Sequence, residues 1–100
     1  MTDMKTEYVF RFPDDYDVDA EIIEAKGWMI GHLRIADITY ELCFCCPMRL
    51  QQDVASELSM QPCYTQRNLV VVAAVTQQNV TRVVDWLVNQ YGLEDFVPDA

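Results

Sequence analysis

The fold is decided by residues 68–92, NLVVVAAVTQQNVTRVVDWLVNQYG. The run at 69–75 is seven consecutive apolar residues rich in β-branched side chains, which is typical of a strand covered on both faces. Thr76 follows as a helix N-cap, and Gly92 stands where a C-cap glycine belongs. Between them apolar residues recur at helical spacing, which predicts a buried helix face. That face consists of Val80, Val83, Val84, Leu87, Val88 and Tyr91.

The chain has 100 residues, which is enough for one domain with its own core. No segment approaches the roughly 18 to 20 apolar residues that a membrane span requires. The beginning, MTDMKTEYVF, lacks a basic start followed by an apolar core, so no signal peptide is predicted. Four cysteines without a secretory signal indicate a reducing compartment, and we expect a cytoplasmic protein.

The chain is strongly acidic, with a formal net charge of −9 and only 7 lysine and arginine residues. These basic residues are dispersed along the sequence and cannot neutralise a row of phosphates. We therefore expect neither nucleic acid nor an anionic membrane surface as a partner.

Three more strands are predicted ahead of the deciding stretch. Residues 6–12 alternate, with Tyr8, Phe10 and Phe12 on one face, and Pro13 ends the strand. Residues 28–35 and 38–45 form the other two strands, joined by a tight turn at 36–37.

Pro47 occupies a helix N1 position and opens a predicted helix. Its apolar residues Leu50, Val54 and Leu58 recur at helical spacing, so we expect them to form a buried stripe.

Residues 17–26 are ambiguous between helix and strand. As a helix they have Asp17 as the cap, a face of Val18, Ile22 and Ala25, and Gly27 as the stop. As a strand they alternate poorly, so we favour the helix.

The element order is β-(α)-β-β-α-β-α, with the ambiguous segment in brackets. The strands at 28–35 and 38–45 pair antiparallel, because the turn between them is too short for a crossover. We predict a single α+β domain over residues 1–100, a two-layer sandwich with a mainly antiparallel four-stranded sheet and helices on one face. The order resembles that of ferredoxin-like domains with an extra C-terminal helix. Residues 94–100 are expected to form a short acidic tail.

A homodimer is also expected. The strand at 69–75 is apolar on both faces, whereas helices on one side of a two-layer domain cover only one of them. Either the C-terminal helix and tail or a second copy would cover the other face, and two-fold pairing is the commonest arrangement of two copies.

Three of the four cysteines, Cys43, Cys45 and Cys46, lie in the motif LCFCCP, and Cys63 stands apart. Side chains on a strand do not converge on one point, so no metal site is expected. Small buried apolar residues are the simplest interpretation of these cysteines.

Cys46 is the one weak candidate for a catalytic thiol. It precedes Pro47 as a helix N-cap, a position where the free amides of the helix favour a thiolate. In thioredoxin-like sites a second cysteine follows one turn into the helix, whereas this chain has Arg49 there. No nucleophile is paired with a positioned base, so we expect no enzymatic activity and no cofactor.

The acidic run DDYDVDAE resembles the start of a calcium loop. Ala20 stands where such a loop needs glycine, and Lys26 where it needs glutamate, so calcium binding is not expected. We interpret the run as a solvated segment that steers a basic protein partner. Its candidate partner-binding residues are Asp14, Asp15, Asp17, Asp19, Glu21 and Glu24.

These observations favour a small acidic cytoplasmic protein-interaction module, such as an adaptor, an inhibitor or immunity-type protein, or a chaperone-like protein. Two alternatives stay open. One is a regulatory domain that binds a small molecule, with the ligand held between paired subunits. The other is a thiol-based redox or sensor protein that uses Cys46.

Overall fold

The computed structural model describes residues 6–14 and 16–99, so Asp15 of the acidic run lies outside the described residues. The described chain has four strands, three α-helices and one π-helical turn. This confirms the α+β class and the order β-α-β-β-α-β-α. The elements are β1 (Val9–Arg11), α1 (Tyr16–Lys26), β2 (Trp28–Ile35), β3 (Ile38–Cys45), α2 (Pro47–Leu58), β4 (Leu69–Val71), α3 (Gln77–Trp86) and the π-helical turn (Leu87–Tyr91).

The four strands form one sheet in the order β1-β2-β3-β4. The β1–β2 and β2–β3 pairs are antiparallel, whereas β4 runs parallel to β3. The sheet is therefore mainly antiparallel, as predicted. Because β1 and β2 are direct neighbours although α1 joins them, the likeness to the split β-α-β units of ferredoxin-like domains is one of element order alone.

The core lies between one face of the sheet and the helices α1 and α3. Leu33, Leu42 and Phe44 from the strands pack with Val80 and Val84 from α3, and all five are almost completely buried. Burial of each such side chain contributes roughly 1.5–3 kcal/mol. Further buried members are Tyr16, Ile23, Met29, Val70, Val72, Val75 and Leu87. We call the opposite side of the sheet the outer face.

The predicted turn between β2 and β3 is confirmed. Ala36 has a φ of 53°, in the left-handed region that residues other than glycine seldom adopt. Arg34 stabilises the turn, since its Nε donates a hydrogen bond to the Ala36 carbonyl at 3.1 Å.

The predicted strand at 69–75 is shorter than expected. Only Leu69–Val71 is strand, and Val71 and Ala73 are exposed, so the prediction that both faces are covered is wrong. β4 is an edge strand, and the chain bends away from the sheet at 73–74 to reach α3.

The helical segment that follows β4 begins and ends where the sequence predicts. The Thr76 hydroxyl accepts a hydrogen bond from the Asn79 amide at 3.1 Å, and Gly92 ends the helical segment with a φ of 92°. Tyr91 is exposed and stacks on Trp86, so its predicted burial is wrong. The last turn widens to a π-helix, which shifts side chains out of the 3.6-residue period.

The ambiguous segment is helical, but the predicted face is wrong. Tyr16 and Ile23 are its buried residues, while Val18 and Ile22 are exposed. Asp19 has non-helical backbone angles (φ −105°, ψ 15°), and this kink turns the first residues away from the phase of an ideal helix.

Helix α2 begins at Pro47 as predicted, but its apolar stripe is not buried. Leu50 and Val54 are half-buried, and Leu58 is exposed. The helix contacts the outer face through Arg49, whose guanidinium lies 5.9 Å from the centre of the Trp28 ring, and it adds no side chain to the core.

Across residues 6–14 and 16–99, no helix combines the length and apolar character needed to cross a bilayer.

Candidate interaction surface

An apolar stripe on α1 faces solvent. Val18 is 87% exposed and Ile22 is 53% exposed, and Ala25 is exposed as well. Ile22 and Ala25 are three residues apart on the regular part of the helix and share one side of it, and Val18 lies just before the kink at Asp19. The sequence placed these residues on one face of the predicted helix, and all three are exposed.

A row of carboxylates runs beside this stripe. Asp17, Glu21 and Glu24 each precede one residue of the stripe in the sequence and are exposed, and Asp14 is exposed just before the helix. Asp19 is half-buried and does not belong to this row. We call the two rows together the α1 surface.

A groove borders the stripe between α1 and β2. It has a volume of about 280 Å³, and its apolar lining includes Ile22 from the stripe and Trp28 and Ile30 from β2. Asp19 and Lys26 are its two charged lining residues. Because Ile22 belongs to both features, the stripe and the groove form one continuous apolar surface.

This arrangement suits the binding of a protein segment. Exposed apolar side chains gain free energy when a partner removes them from water, and neighbouring carboxylates attract lysine and arginine. Four of the six predicted partner-binding residues, Asp14, Asp17, Glu21 and Glu24, lie here.

Cys46 is the N-cap residue of α2, as predicted, but its side chain makes no capping hydrogen bond. Its Sγ packs against Gly27, where an added Cβ would lie 2.6 Å from the sulfur. The sulfur therefore fills a packing position beside a glycine with a φ of 79°.

The other thiols differ in exposure. Burial raises the pKa of the Cys43 and Cys45 thiols, with further increases from Asp53 at Cys43 and from the neighbouring cysteines at Cys45. Both side chains therefore favour the neutral thiol, whereas Cys63 is exposed. Within the described part of the chain, no three histidine, cysteine, aspartate or glutamate side chains are grouped so that they could hold a metal ion.

The structure also brings together two arginines and a histidine from different strands. Arg11, His32 and Arg34 line one groove on the outer face, and the sequence alone does not predict this grouping. The spacing of His32 and Arg34 indicates a shared strand face, but only the β1–β2 register reveals that Arg11 lies beside them.

Comparison of the chain with protein-family models, curated protein sequences and solved structures gives no significant match.

Proposed function

We propose that this chain is a protein-interaction module that binds a basic segment of a partner protein on the α1 surface. The observation that carries the proposal is the 87% exposure of Val18 on a helix that also exposes three carboxylates, those of Asp17, Glu21 and Glu24. Its apolar side chains would anchor the partner, and its carboxylates would select lysine and arginine.

The charge of the whole chain supports a basic partner. A net charge of −9 attracts cationic proteins and accelerates their encounter with the α1 surface. The groove beside Ile22 gives an apolar side chain of the partner a place to insert. We place this activity in the cytoplasm, as an adaptor, an inhibitor or immunity-type protein, or a chaperone-like protein.

A designed peptide tests the surface directly. The probe is an amphipathic helix of leucine and lysine, titrated into the ¹⁵N-labelled protein at near-physiological salt, with amide shifts as the readout. We expect saturable shifts in α1 and at the start of β2. Val18→Ser combined with Ile22→Ser should weaken binding about tenfold, as expected for two apolar contacts.

Matched controls distinguish binding at the α1 surface from general electrostatic attraction between an acidic protein and a basic peptide. Val9→Ser removes an exposed apolar side chain elsewhere, and Glu94→Lys makes the same charge change as Glu21→Lys at a distant site. Binding should weaken with Glu21→Lys and stay unchanged in both controls. Equal losses in the controls would overturn the proposal.

The same variants can test the proposal in cells by capture of the partner protein. A captured protein counts as the partner if the V18S/I22S double variant loses it and Val9→Ser retains it.

We further propose that two copies pair along the free edge of β4. The run at 69–75 carries no charge and no proline, the features by which edge strands usually avoid pairing. Val71 is 47% exposed on this edge strand. Antiparallel pairing of β4 with its copy about a two-fold axis would satisfy the outward backbone groups of both strands.

A further inference from the structure

The β-sheet register gathers two arginines and a histidine on the outer face. Arg11 pairs with His32, and Val9 pairs with Arg34, which in turn lies opposite Thr39 on β3. Directly opposed residues on antiparallel strands lie on the same face with their Cβ atoms about 4.5–5.5 Å apart. Two guanidinium groups, an imidazole and a hydroxyl therefore share one small area.

These residues line a single groove of about 330 Å³, which we call the arginine groove. Its lining consists of Val9, Arg11, His32, Arg34 and Thr39. The volume is at the small end of the range for ligand pockets, about 300–1,000 Å³.

The hydrogen bonds within the protein leave most of the donor groups of Arg11 and Arg34 available to a ligand. Arg34 uses Nε for the Ala36 carbonyl, which orients the guanidinium and leaves its two terminal nitrogens for other acceptors. Arg11 makes no hydrogen bond or ion pair with any of the described residues.

Carboxylates border the arginine groove but do not line it. Glu41 lies 4.0 Å from His32 Nε2, and Glu7 shares a neighbouring groove with Arg34. An anion between the arginines would relieve the repulsion of two like charges on the same face.

We propose that the arginine groove binds the phosphoryl group of a small phosphate monoester. Guanidinium groups match phosphate oxygens in geometry and charge, and the Thr39 hydroxyl and His32 imidazole add hydrogen-bonding groups around a tetrahedral anion. The site is separate from the α1 surface, so this proposal does not rest on the proposed function.

The test is an amide NMR titration of the full chain with inorganic phosphate and with glycerol 2-phosphate, with sodium chloride at matched ionic strength as the reference. We expect saturable shifts at β1 and at 32–34 that chloride does not produce. Arg11→Ala and Arg34→Ala should each weaken binding about fivefold, the scale of one exposed charge pair.

Arg82→Ala is the matched control, because this exposed arginine lies on α3 away from the arginine groove. It should leave the affinity for phosphate unchanged. Thermal unfolding of each variant checks that the fold is intact, and Arg34→Lys provides a second variant that keeps the charge.

Three results would overturn the proposal. The shifts could fail to saturate, they could respond alike to Arg11→Ala and Arg82→Ala, or succinate could bind as tightly as phosphate. The last result would assign the arginine groove to carboxylates instead.

Discussion

The side-chain amide of Asn68 makes two hydrogen bonds to the backbone of Val97. Its Oδ1 accepts from the Val97 amide at 2.8 Å, and its Nδ2 donates to the Val97 carbonyl at 2.8 Å and to the Glu41 carbonyl at 3.0 Å. Further along, the Asp99 amide donates to the Thr39 carbonyl at 2.8 Å. The described part of the predicted acidic tail is thus attached to the sheet beside β3.

Asn68→Ala should destabilise the protein by about 3 kcal/mol, because three hydrogen bonds of roughly 1 kcal/mol each are lost. The residue also has a φ of 51°, a conformation that asparagine tolerates better than alanine. Urea unfolding measures the change. Gln66→Ala, an exposed change in the same loop, should stay within about 0.5 kcal/mol, and equal stability of the two variants would contradict the prediction.

Gly31→Ala should destabilise the protein by roughly 1–3 kcal/mol, because the ring of Phe10 occupies the space that a Cβ would need. Phe10 is held there by edge-on contacts with Phe12 and Phe44. Thermal or urea unfolding gives the measurement. Adding Phe10→Leu should recover part of the loss, and a double variant with merely additive losses would show that the two residues do not clash.

Stability should fall at alkaline pH. Burial raises the pKa of the Cys43 and Cys45 thiols above the ordinary 9.0 and that of the Tyr16 hydroxyl above 10.0. The folded protein therefore keeps protons that the unfolded chain has already lost, so stability is complete below about pH 9 and decreases as the pH rises through the folded pKa values.

Urea midpoints measured from neutral pH to about pH 11 check this sign. Cys45→Ala should make the alkaline decline shallower, because it removes one of the groups whose pKa is raised by burial. A midpoint that rises with pH above 9 would refute the prediction.

Light scattering at micromolar concentration should give twice the chain mass of 11.6 kDa. Val71→Asp places a charge on each copy at the proposed β4 edge and should yield a monomer. Val9→Asp, at the opposite edge of the sheet, should remain dimeric. A monomeric wild-type protein would disprove pairing, and a dimer lost only with Val9→Asp would move the interface to β1.

Local signals in the sequence were sufficient to predict the helices and strands and several of the residues at which they begin or end. Pro47 starts α2, Thr76 caps α3, and Gly27 and Gly92 end helical segments, because each acts through its own backbone or side chain on neighbouring residues. The two central strands and the 36–37 turn followed in the same way from alternation and a short connection.

Which apolar stripes are buried depended on the tertiary structure. Val18 and Ile22 have the spacing of a core face, as do Leu50 and Val54, yet neither pair reaches the core. Periodicity shows that residues share a side of a helix, but burial depends on what packs against that side, and a kink at Asp19 is enough to change it.

The two candidate sites also differ in how far the sequence alone could predict them. The acidic residues of the α1 surface lie within eleven residues of sequence, 14–24, so their clustering could be predicted directly from it. The arginine groove joins Arg11 to Arg34 across two strands, and its existence depends on the register that pairs Arg11 with His32 and Val9 with Arg34. A shift of one residue would place Arg11 on the other face of the sheet, so only the folded chain could bring these charges together.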